Sequence, residues 1–257
     1  MPDLAVRQHY DQNPFYLNDA VILDKVLNET PLGQFIKSKE VAEIHIIADV
    51  GCGGLAKNID FLYKYGHCFS DPVILGTDFS FQTLKIAGQR HARTPFFQAN
   101  TESLPFKDNS LDFIIATGTL VCMPEPQRGF DEILRAVKPK KYIYISLYNK
   151  NNIYCPIYRW TKFLRLFPQW KLEWVIQYLF VPLYGVVYWF TNVLLNKKIR
   201  KIPYREIKMD FYDKFMVPVA LFFDHQDVVN MVRDRAVILN KQIYAAGMMI
   251  GILLQKK

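Results

Sequence analysis

Cysteine is scarce in this sequence, and the few cysteines form no pattern. Cys52, Cys68, Cys122 and Cys155 include no C-x-x-C pair and no grouping with histidine at zinc-like spacing. This distribution gives little support for a disulfide framework or a metal site, so we predict free thiols in a reducing compartment and no bound metal. The first residues also lack the basic region and apolar run of a secretory signal. We therefore expect a cytoplasmic protein, with peripheral membrane attachment as an open alternative.

Charge is missing from one long stretch of the chain. Residues 175–195 contain no Asp, Glu, Lys or Arg, although the chain carries a formal net charge of +8. A cationic run, residues 197–201, follows this stretch almost directly. A basic balance can attract nucleic acid or an anionic membrane surface. Because the charge lies beside an apolar segment, its placement does not favour nucleic acid and suggests peripheral membrane contact through residues 175–201.

Short apolar runs alternate with segments of helical period from about residue 44 to residue 148. Such alternation is typical of parallel strands joined by crossover helices. We predict an α/β fold: a Rossmann-like doubly wound sheet of about seven strands, mostly parallel with an antiparallel final strand, plus an aromatic helical insertion. The predicted strands cover residues 44–50, 73–78, 96–98, 111–116, 142–147 and 245–254. The first predicted helix includes Leu55, and the second covers residues 81–90. The third carries Phe130 and Val137 on its apolar face and ends at Pro139, and the last begins at Asp224.

Four regions follow from this pattern. Residues 1–43 are predicted to form an N-terminal helical cap, and residues 44–149 a cofactor-binding core. Residues 150–206 are predicted to form a hydrophobic helical insertion or lid, and residues 207–257 to complete the core sheet.

A glycine-rich turn connects the first predicted strand to the first helix. Its glycines allow a tight turn and the close approach of a ligand to the backbone. Gly51, Gly53 and Ala56 also fit a permissive dinucleotide pattern. A pyrophosphate prefers nearby cations, yet Asp49 precedes the loop and no Lys or Arg lies between Asp49 and Lys57. These features favour a ligand with an uncharged or cationic centre, such as S-adenosylmethionine.

Three segments, in order, resemble the motifs of class I S-adenosylmethionine-dependent methyltransferases. Residues 49–54 resemble the glycine-rich first motif of that family, and residues 76–80 resemble its second motif. Residues 100–112 resemble the segment that covers the adenine in small-molecule methyltransferases of the ubiquinone-biosynthesis type, methyltransferase type 11. The resemblance covers about residues 44–148.

The resemblance implies a set of cofactor contacts. It places Asp49 and Gly51 at the methionine end of S-adenosylmethionine and Asp78 at the ribose, where a carboxylate can accept both hydroxyls. Asn100 and the backbone of Thr101 are expected at the adenine. The predicted cofactor-binding residues are Asp49, Gly51, Gly53, Asp78, Phe79, Asn100, Thr101 and Thr117.

The acceptor side carries fewer signals. A sulfonium methyl group is already activated, so the main requirements are alignment and exclusion of water. Where relatives often carry two histidines, residues 121–122 hold none. Tyr10 and Tyr148 are our catalytic candidates, because a phenol can assist removal of a proton from the acceptor. We predict that His9 and His225 are surface or capping residues.

Residues 150–206 interrupt the alternation and are rich in aromatic side chains. At about 1.5 Å per residue, residues 175–195 are long enough to span a bilayer, but a single span cannot return the chain to the same sheet. Two alternatives remain, an interfacial hairpin against anionic lipid or a lid over an apolar pocket. The lid would use Trp160, Trp170, Trp174 and Trp189. Both alternatives predict a hydrophobic acceptor.

Methyl transfer from S-adenosylmethionine to a hydrophobic small molecule or lipid-like acceptor is thus the predicted function. One alternative is an RNA-modifying methyltransferase, suggested by the basic balance, although residues 116–119 do not resemble the Asn-Pro-Pro-Tyr-like segment of amino-methylating enzymes. The other is a nonenzymatic S-adenosylmethionine-binding partner protein, suggested by Leu55 in place of the family's third glycine.

Overall fold

The computed structural model describes residues 2–13, 28–161, 173–196, 203–245 and 247–257, which contain an eight-stranded sheet. The strands are β1 (Ile46–Val50), β2 (Val73–Asp78), β3 (Phe96–Gln98), β4 (Leu111–Thr117), β5 (Val137–Asn149), β6 (Phe222–Phe223), β7 (Ala236–Tyr244) and β8 (Met249–Lys256). The α-helices are α1 (Pro2–Gln12), α2 (Pro31–Ile36), α3 (Lys57–Lys64), α4 (Phe81–Arg90), α5 (Pro126–Ala136), α6 (Tyr154–Trp160), α7 (Val181–Asn196), α8 (Tyr204–Phe211) and α9 (His225–Val232). Two π-helical turns, Ile176–Phe180 and Tyr212–Met216, precede α7 and follow α8.

The strand order confirms the predicted doubly wound sheet. The strands lie in the order β3-β2-β1-β4-β5-β8-β7, and β6 pairs with β5. Strands β1 to β5 pair in parallel, whereas β8 lies antiparallel between β5 and β7. Because β8 is the last strand of the chain, the predicted antiparallel final strand is also confirmed.

Both faces of the sheet are buried. Along β4, Phe113 and Ile115 face one apolar core while Ile114 and Ala116 face the other, as the alternation of side chains in a strand requires. Helices α5 and α9 cover one face, and α2, α3 and α4 cover the other. Parallel strands covered on both sides leave their carboxyl-terminal edge as the accessible place for a ligand.

Helix α5 ends earlier than predicted. Its last residue is Ala136, and Val137 instead begins β5 by pairing with Leu111. Pro139, predicted as the helix stop, lies inside β5. The sequence pattern was wrong here because an apolar residue directly after a helix fits the helix face and the next strand equally well.

The C-terminal hairpin also corrects the sequence analysis. The predicted final strand 245–254 is observed as β8 (Met249–Lys256), and Gly247, with φ of +85°, lies in the turn before it. Strand β7 was not predicted from the sequence. This strand lies at the edge of the sheet, so it alternates exposed and covered residues and lacks a continuous apolar run.

The aromatic insertion forms a third apolar core, which extends past the boundary predicted at residue 206. Its buried members are Tyr154, Tyr158, Ile176, Val181, Phe211, Tyr212, Phe215, Met216, Val217 and Ala220. The predicted tryptophan lid is wrong for Trp160, Trp174 and Trp189, which are exposed, because smaller aromatic side chains fill this core instead. Trp170 and the cationic run 197–201 lie outside the described residues. Among the residues described, no helix has the length and apolar character needed to cross a membrane.

Asp112 shows how the sheet and its connections are tied together. A carboxylate at a strand start is expected to face solvent, but the Asp112 side chain is buried. Its Oδ2 accepts hydrogen bonds from the backbone N–H groups of His45 and Ile46, each at 3.0 Å, and its Oδ1 lies 2.8 Å from Lys138 Nζ. Burial raises the pKa of Asp112, but these partners outweigh it and hold the pKa below its ordinary value.

We expect Asp112→Asn to lower the free energy of unfolding at neutral pH by about 1–3 kcal/mol, because buried donors lose a charged acceptor. Since the folded-state pKa is lowered, the stabilisation exists above the unfolded pKa of about 3.9 and disappears as pH falls through the folded value. Urea unfolding at several pH values measures both effects. The exposed carboxylate Asp108, paired with Arg135, is the matched control, and Asp108→Asn should cost less than about 1 kcal/mol.

Candidate active site

The loop after β1 is fixed against the end of β2. Backbone N–H groups of Gly51 and Cys52 donate to the carbonyl oxygen of Thr77 at 2.8 and 2.9 Å. Gly51 and Gly53 have φ of +71° and +67°, a region that favours glycine. A Cβ on Gly53 would meet no atom within 4 Å, so the loop borders open space at this point.

Asp78, the last residue of β2, organises the adjoining turn. Its carboxylate accepts the backbone N–H of Gly53 at 3.0 Å and that of Ser80 at 2.9 Å. Burial raises the pKa of Asp78 to about 6, although these hydrogen bonds act in the opposite direction. Burial makes the Asp78 carboxyl group costly to ionise. A cationic or hydroxyl-bearing ligand at this position would stabilise the ionised form and offset that cost.

Asp49 lies beneath the loop at the end of β1. It is fully buried, and its Oδ1 accepts from Asn58 Nδ2 at 2.9 Å. Within the described part of the chain, its Oδ2 has no hydrogen-bond partner. Burial raises the pKa of Asp49 to about 7, and the neighbouring charge of Asp78 adds to the increase. Asp49 and Asp78 thus place two carboxyl groups beside the loop, and burial favours the neutral form of each.

The turn after β3 brings two further predicted residues to the same edge. Asn100 Oδ1 accepts the backbone N–H of Glu102 at 3.0 Å, and the Asn100 carbonyl accepts that of Ser103 at 2.9 Å. The Asn100 side chain is thus held in place by its own turn, and Thr101 lies at the tip of that turn.

A cavity of about 230 Å³ crosses the carboxyl-terminal edge of the sheet. Its lining residues are Val6, Arg7, Tyr10, Gly51, Gly53, Asp78, Phe79, Ser80, Thr83, Asn100, Thr101, Thr117, Gly118, Thr119, Cys122, Met123, Pro124, Tyr148 and Asp213. Nine of the ten predicted site residues are among them, and Asp49 is the tenth, lying below the loop. Their contact with a cofactor stays a prediction. Because the sheet order is β2-β1-β4-β5, the cavity extends from Asp78 at one end towards Tyr148 at the other.

Helix α1 covers the cavity. Val6, Arg7 and Tyr10 line it from this side, and the Arg7 guanidinium lies 5.7 Å from the centre of the Phe79 ring. Ser80 Oγ donates to Asp11 Oδ1 at 2.5 Å, which ties α1 to the start of α4. The N-terminal helix is therefore part of the site.

The end of the cavity away from Asp78 carries a cluster of ionisable groups. Tyr10 OH donates to Asp213 Oδ1 at 3.2 Å and lies 3.4 Å from Cys122 Sγ. Tyr148 completes the cluster at the end of β5. Asp213 was not predicted from the sequence, because it lies in a π-helical turn with no motif around it. Its local signal is a carboxylate within residues 211–216, a segment with three aromatic residues.

The two histidines differ from each other. The prediction of a surface or capping role is wrong for His9, which lies in α1 and is buried. Burial lowers the pKa of His9 to about 4. Neither ring nitrogen of His9 has a hydrogen-bond partner in the described residues. His225 begins α9, and its Nδ1 lies 2.8 Å from Lys241 Nζ.

The described residues contain no group of three or more His, Cys, Asp or Glu side chains arranged for a metal ion.

Comparison with known proteins agrees with this architecture. Residues 48–145 match the methyltransferase domain family Methyltransf_11. Curated relatives include demethylmenaquinone methyltransferases of Clavibacter sepedonicus, 36% identical over 69 residues, and of Desulfitobacterium hafniense, 30% identical over 99 residues. These matches cover 26% and 36% of this chain, and 28% and 38% of the respective relatives. The matched segment is thus well under half the length of either curated protein.

Two solved structures share the fold over nearly the whole chain. Magnesium protoporphyrin IX methyltransferase from Synechocystis PCC 6803, solved with bound S-adenosylmethionine, is 10% identical, with a TM-score of 0.58 and coverage of 100% of this chain and 98% of that one. A methyltransferase from Methanosarcina mazei is 18% identical, with a TM-score of 0.53 and coverage of 88% and 97%. At these identities the likeness establishes the fold alone.

The family match identifies the class of this domain. Residues 48–145 form a methyltransferase domain of the class I, S-adenosylmethionine-dependent type. The class predicted from the sequence motifs is confirmed for this domain.

The two loop glycines should respond differently to substitution. A Cβ on Gly51 would lie 2.3 Å from Thr119 Oγ1, which donates to the Val50 carbonyl, whereas a Cβ on Gly53 meets open space. Backbone strain alone costs about 1–3 kcal/mol in either variant. We expect Gly51→Ala to exceed Gly53→Ala in loss of unfolding free energy by at least about 1 kcal/mol in urea titrations. Equal losses would contradict the described packing of Thr119.

Proposed function

We propose that this protein transfers the methyl group of S-adenosylmethionine to an apolar small molecule. The observation that carries the proposal is the single cavity that joins the predicted cofactor residues to an aromatic, ionisable cluster. Concave sites with apolar walls and a few convergent polar groups are typical of small-molecule sites. The curated relatives are named for demethylmenaquinone, which fits an apolar acceptor.

The residues at the Asp78 end fit S-adenosylmethionine chemically. The unpartnered Oδ2 of Asp49 and the carboxylate of Asp78 supply negative charge for a cationic ligand, and Gly53 leaves room for it. In this proposal Asp78 also holds the ribose hydroxyls, while Asn100 and Thr101 border the adenine. When bound, the cofactor supplies an already activated methyl group, so the protein's tasks are to orient the acceptor and exclude water.

The opposite end of the cavity fits an apolar acceptor. Met123, Pro124 and Tyr148 form its walls. Behind Tyr148 lie Tyr154 and Phe222, with ring centres 5.3 and 5.7 Å from that of Tyr148. An aromatic or alkyl acceptor would bury its apolar surface here, while the hydroxyl and carboxyl groups of the nearby cluster contact its reacting end.

Calorimetric titration with S-adenosylmethionine tests the cofactor half. We expect saturable binding in the wild type and a loss of at least about 10-fold in Asp78→Ala, since a hydrogen bond to a charged group contributes about 1.5–3 kcal/mol. Because the pKa of Asp78 is raised to about 6, the wild-type affinity should weaken as pH falls from about 8 to about 5. The exposed Asp234→Ala is the control. Undiminished binding in Asp78→Ala would contradict the assignment.

We also propose that the exposed face of the insertion contacts an anionic membrane surface, from which an apolar acceptor would enter. Seven apolar side chains on this face are exposed: Tyr178, Leu179, Leu183, Val186, Val187, Trp189 and Phe190. The opposite side of α7 packs on α8 through Gly185, where a Cβ would lie 3.2 Å from Ile207. The cationic residues 197–201 follow α7 in the sequence. An apolar helix face adjoining cationic side chains is typical of interfacial helices.

Flotation with vesicles tests this surface. We expect wild-type protein to float with vesicles of phosphatidylcholine and phosphatidylglycerol, and less with phosphatidylcholine alone. The double variant Leu183→Asp, Val187→Asp should lose at least about 10-fold in binding, because burying each side chain contributes about 1.5–3 kcal/mol. Leu239→Asp, on the edge strand β7, is the matched control. If the double variant instead changes only the oligomeric state in sedimentation, the face binds a second copy of the chain and the membrane proposal fails.

A further inference from the structure

Three separate parts of the chain build the ionisable cluster at the acceptor end of the cavity. Tyr10 comes from α1, Cys122 from the turn after β4, and Asp213 from the π-helical turn after α8. All three line the cavity together with Tyr148. The lining contains two carboxylates, Asp78 at the cofactor end and Asp213 at this end.

A neighbouring aspartate shows what a purely structural carboxylate looks like in this region. Asp210, one helical turn before Asp213, is buried and accepts hydrogen bonds from Tyr184 OH and from Lys214 Nζ, the latter at 2.7 Å. The carboxylate of Asp213, by contrast, faces the cavity and accepts from the phenol of Tyr10. The phenol occupies one carboxylate oxygen, and a carboxylate has two with which to accept protons.

We propose that Asp213 is the general base of this protein, which takes the proton of a phenol-like or enol-like hydroxyl on the acceptor, and that Tyr10 is a positioning residue. This inference rests on the methyl transfer proposed above. The O–H bond of the acceptor breaks, the proton bonds to an Asp213 carboxylate oxygen, and the electron pair stays on the acceptor oxygen to form its new bond to carbon. The electron pair of the broken C–S bond stays with sulfur. The positive charge of the sulfonium and the negative charge of the Asp213 carboxylate are therefore both neutralised. Cancelling two opposite charges avoids their cost in a low-dielectric cavity.

The surrounding groups suit this role. Burial, and then the charge of Asp210, raise the pKa of Asp213 to about 7, whereas Lys214 and the Tyr10 hydrogen bond act in the opposite direction. Burial also raises the pKa of Tyr10 and of Tyr148 well above the ordinary value, and that of Cys122 to about 12. Asp213 is therefore the member of this cluster that exchanges a proton near neutral pH, where a general base is most effective.

A titration that needs no turnover gives the first test. The carboxyl carbons of aspartate-labelled protein are followed by NMR between about pH 3 and about pH 9, and the Asp213 signal is identified by its loss in Asp213→Asn. We expect it to titrate near neutral pH, and to shift to higher pH in Tyr10→Phe because the hydrogen bond that stabilises the carboxylate is lost. Titration of Asp213 near the ordinary value of about 4 overturns the proposal.

Turnover with simple phenols gives the second test. With a phenol of pKa about 10, Asp213→Asn should lower kcat about 100-fold or more while the Kd for S-adenosylmethionine is unchanged. With an acidic nitrophenol at high pH the loss should vanish, because this acceptor is already an anion. Asp234→Asn is the control for mutation of an exposed aspartate.

The two tests separate this inference from the proposed function. Equal losses with both phenols, or wild-type rates in Asp213→Asn, overturn the role of Asp213 while leaving methyl transfer intact. Failure of wild-type protein to bind S-adenosylmethionine contradicts the proposed function instead. If the wild type binds the cofactor but methylates neither phenol, the NMR titration decides the proposal on its own.

Discussion

Two backbone hydrogen bonds, from Gly51 and Cys52 to the carbonyl of Thr77, hold the loop after β1 against the end of β2. This attachment brings Gly53 N within 3.0 Å of the Asp78 carboxylate and leaves open space beside Gly53. The positive φ angles of both glycines are the conformational condition for it. Without this loop geometry the two neighbouring strand ends would not share one cavity, and the carboxyl groups of Asp49 and Asp78 would not both lie beside the loop.

The proximity of the predicted cofactor residues could be inferred from the sequence because each of them lies at or just after the end of a strand. Parallel strands bring their carboxyl ends to one edge, so the chain positions of Gly51, Asp78 and Asn100 already imply their proximity. The boundaries of β2, β3 and α4 were predicted correctly, since apolar runs and turns delimit them sharply. The end of α5 and the edge strand β7 were not, because an apolar residue at a junction and an alternating edge strand are ambiguous in sequence.

The acceptor half could be predicted only in part. Tyr10 and Tyr148 line the cavity as expected, but Asp213, which accepts a hydrogen bond from Tyr10, was not predicted, since 203 residues separate the two and no local periodicity relates them. Trp160, Trp174 and Trp189 were expected in a lid and are exposed, whereas tyrosine, phenylalanine and methionine are prominent in the third core. Composition predicts that an apolar layer exists, but the choice of buried side chains depends on packing that single-sequence periodicity does not contain.

Helix α1 has a consequence for the order in which the protein is made. Its contacts are with α4, with Cys122 and with Asp213, all of which are synthesised after it, the last of them 203 residues later. Until then Tyr10 and the apolar face around His9 lack their partners. Helix α1, which covers the cavity, is therefore the first segment of the described structure to be synthesised and one of the last to gain all its contacts. If the Rossmann-like core folds before Asp213 is synthesised, the site stays open until then.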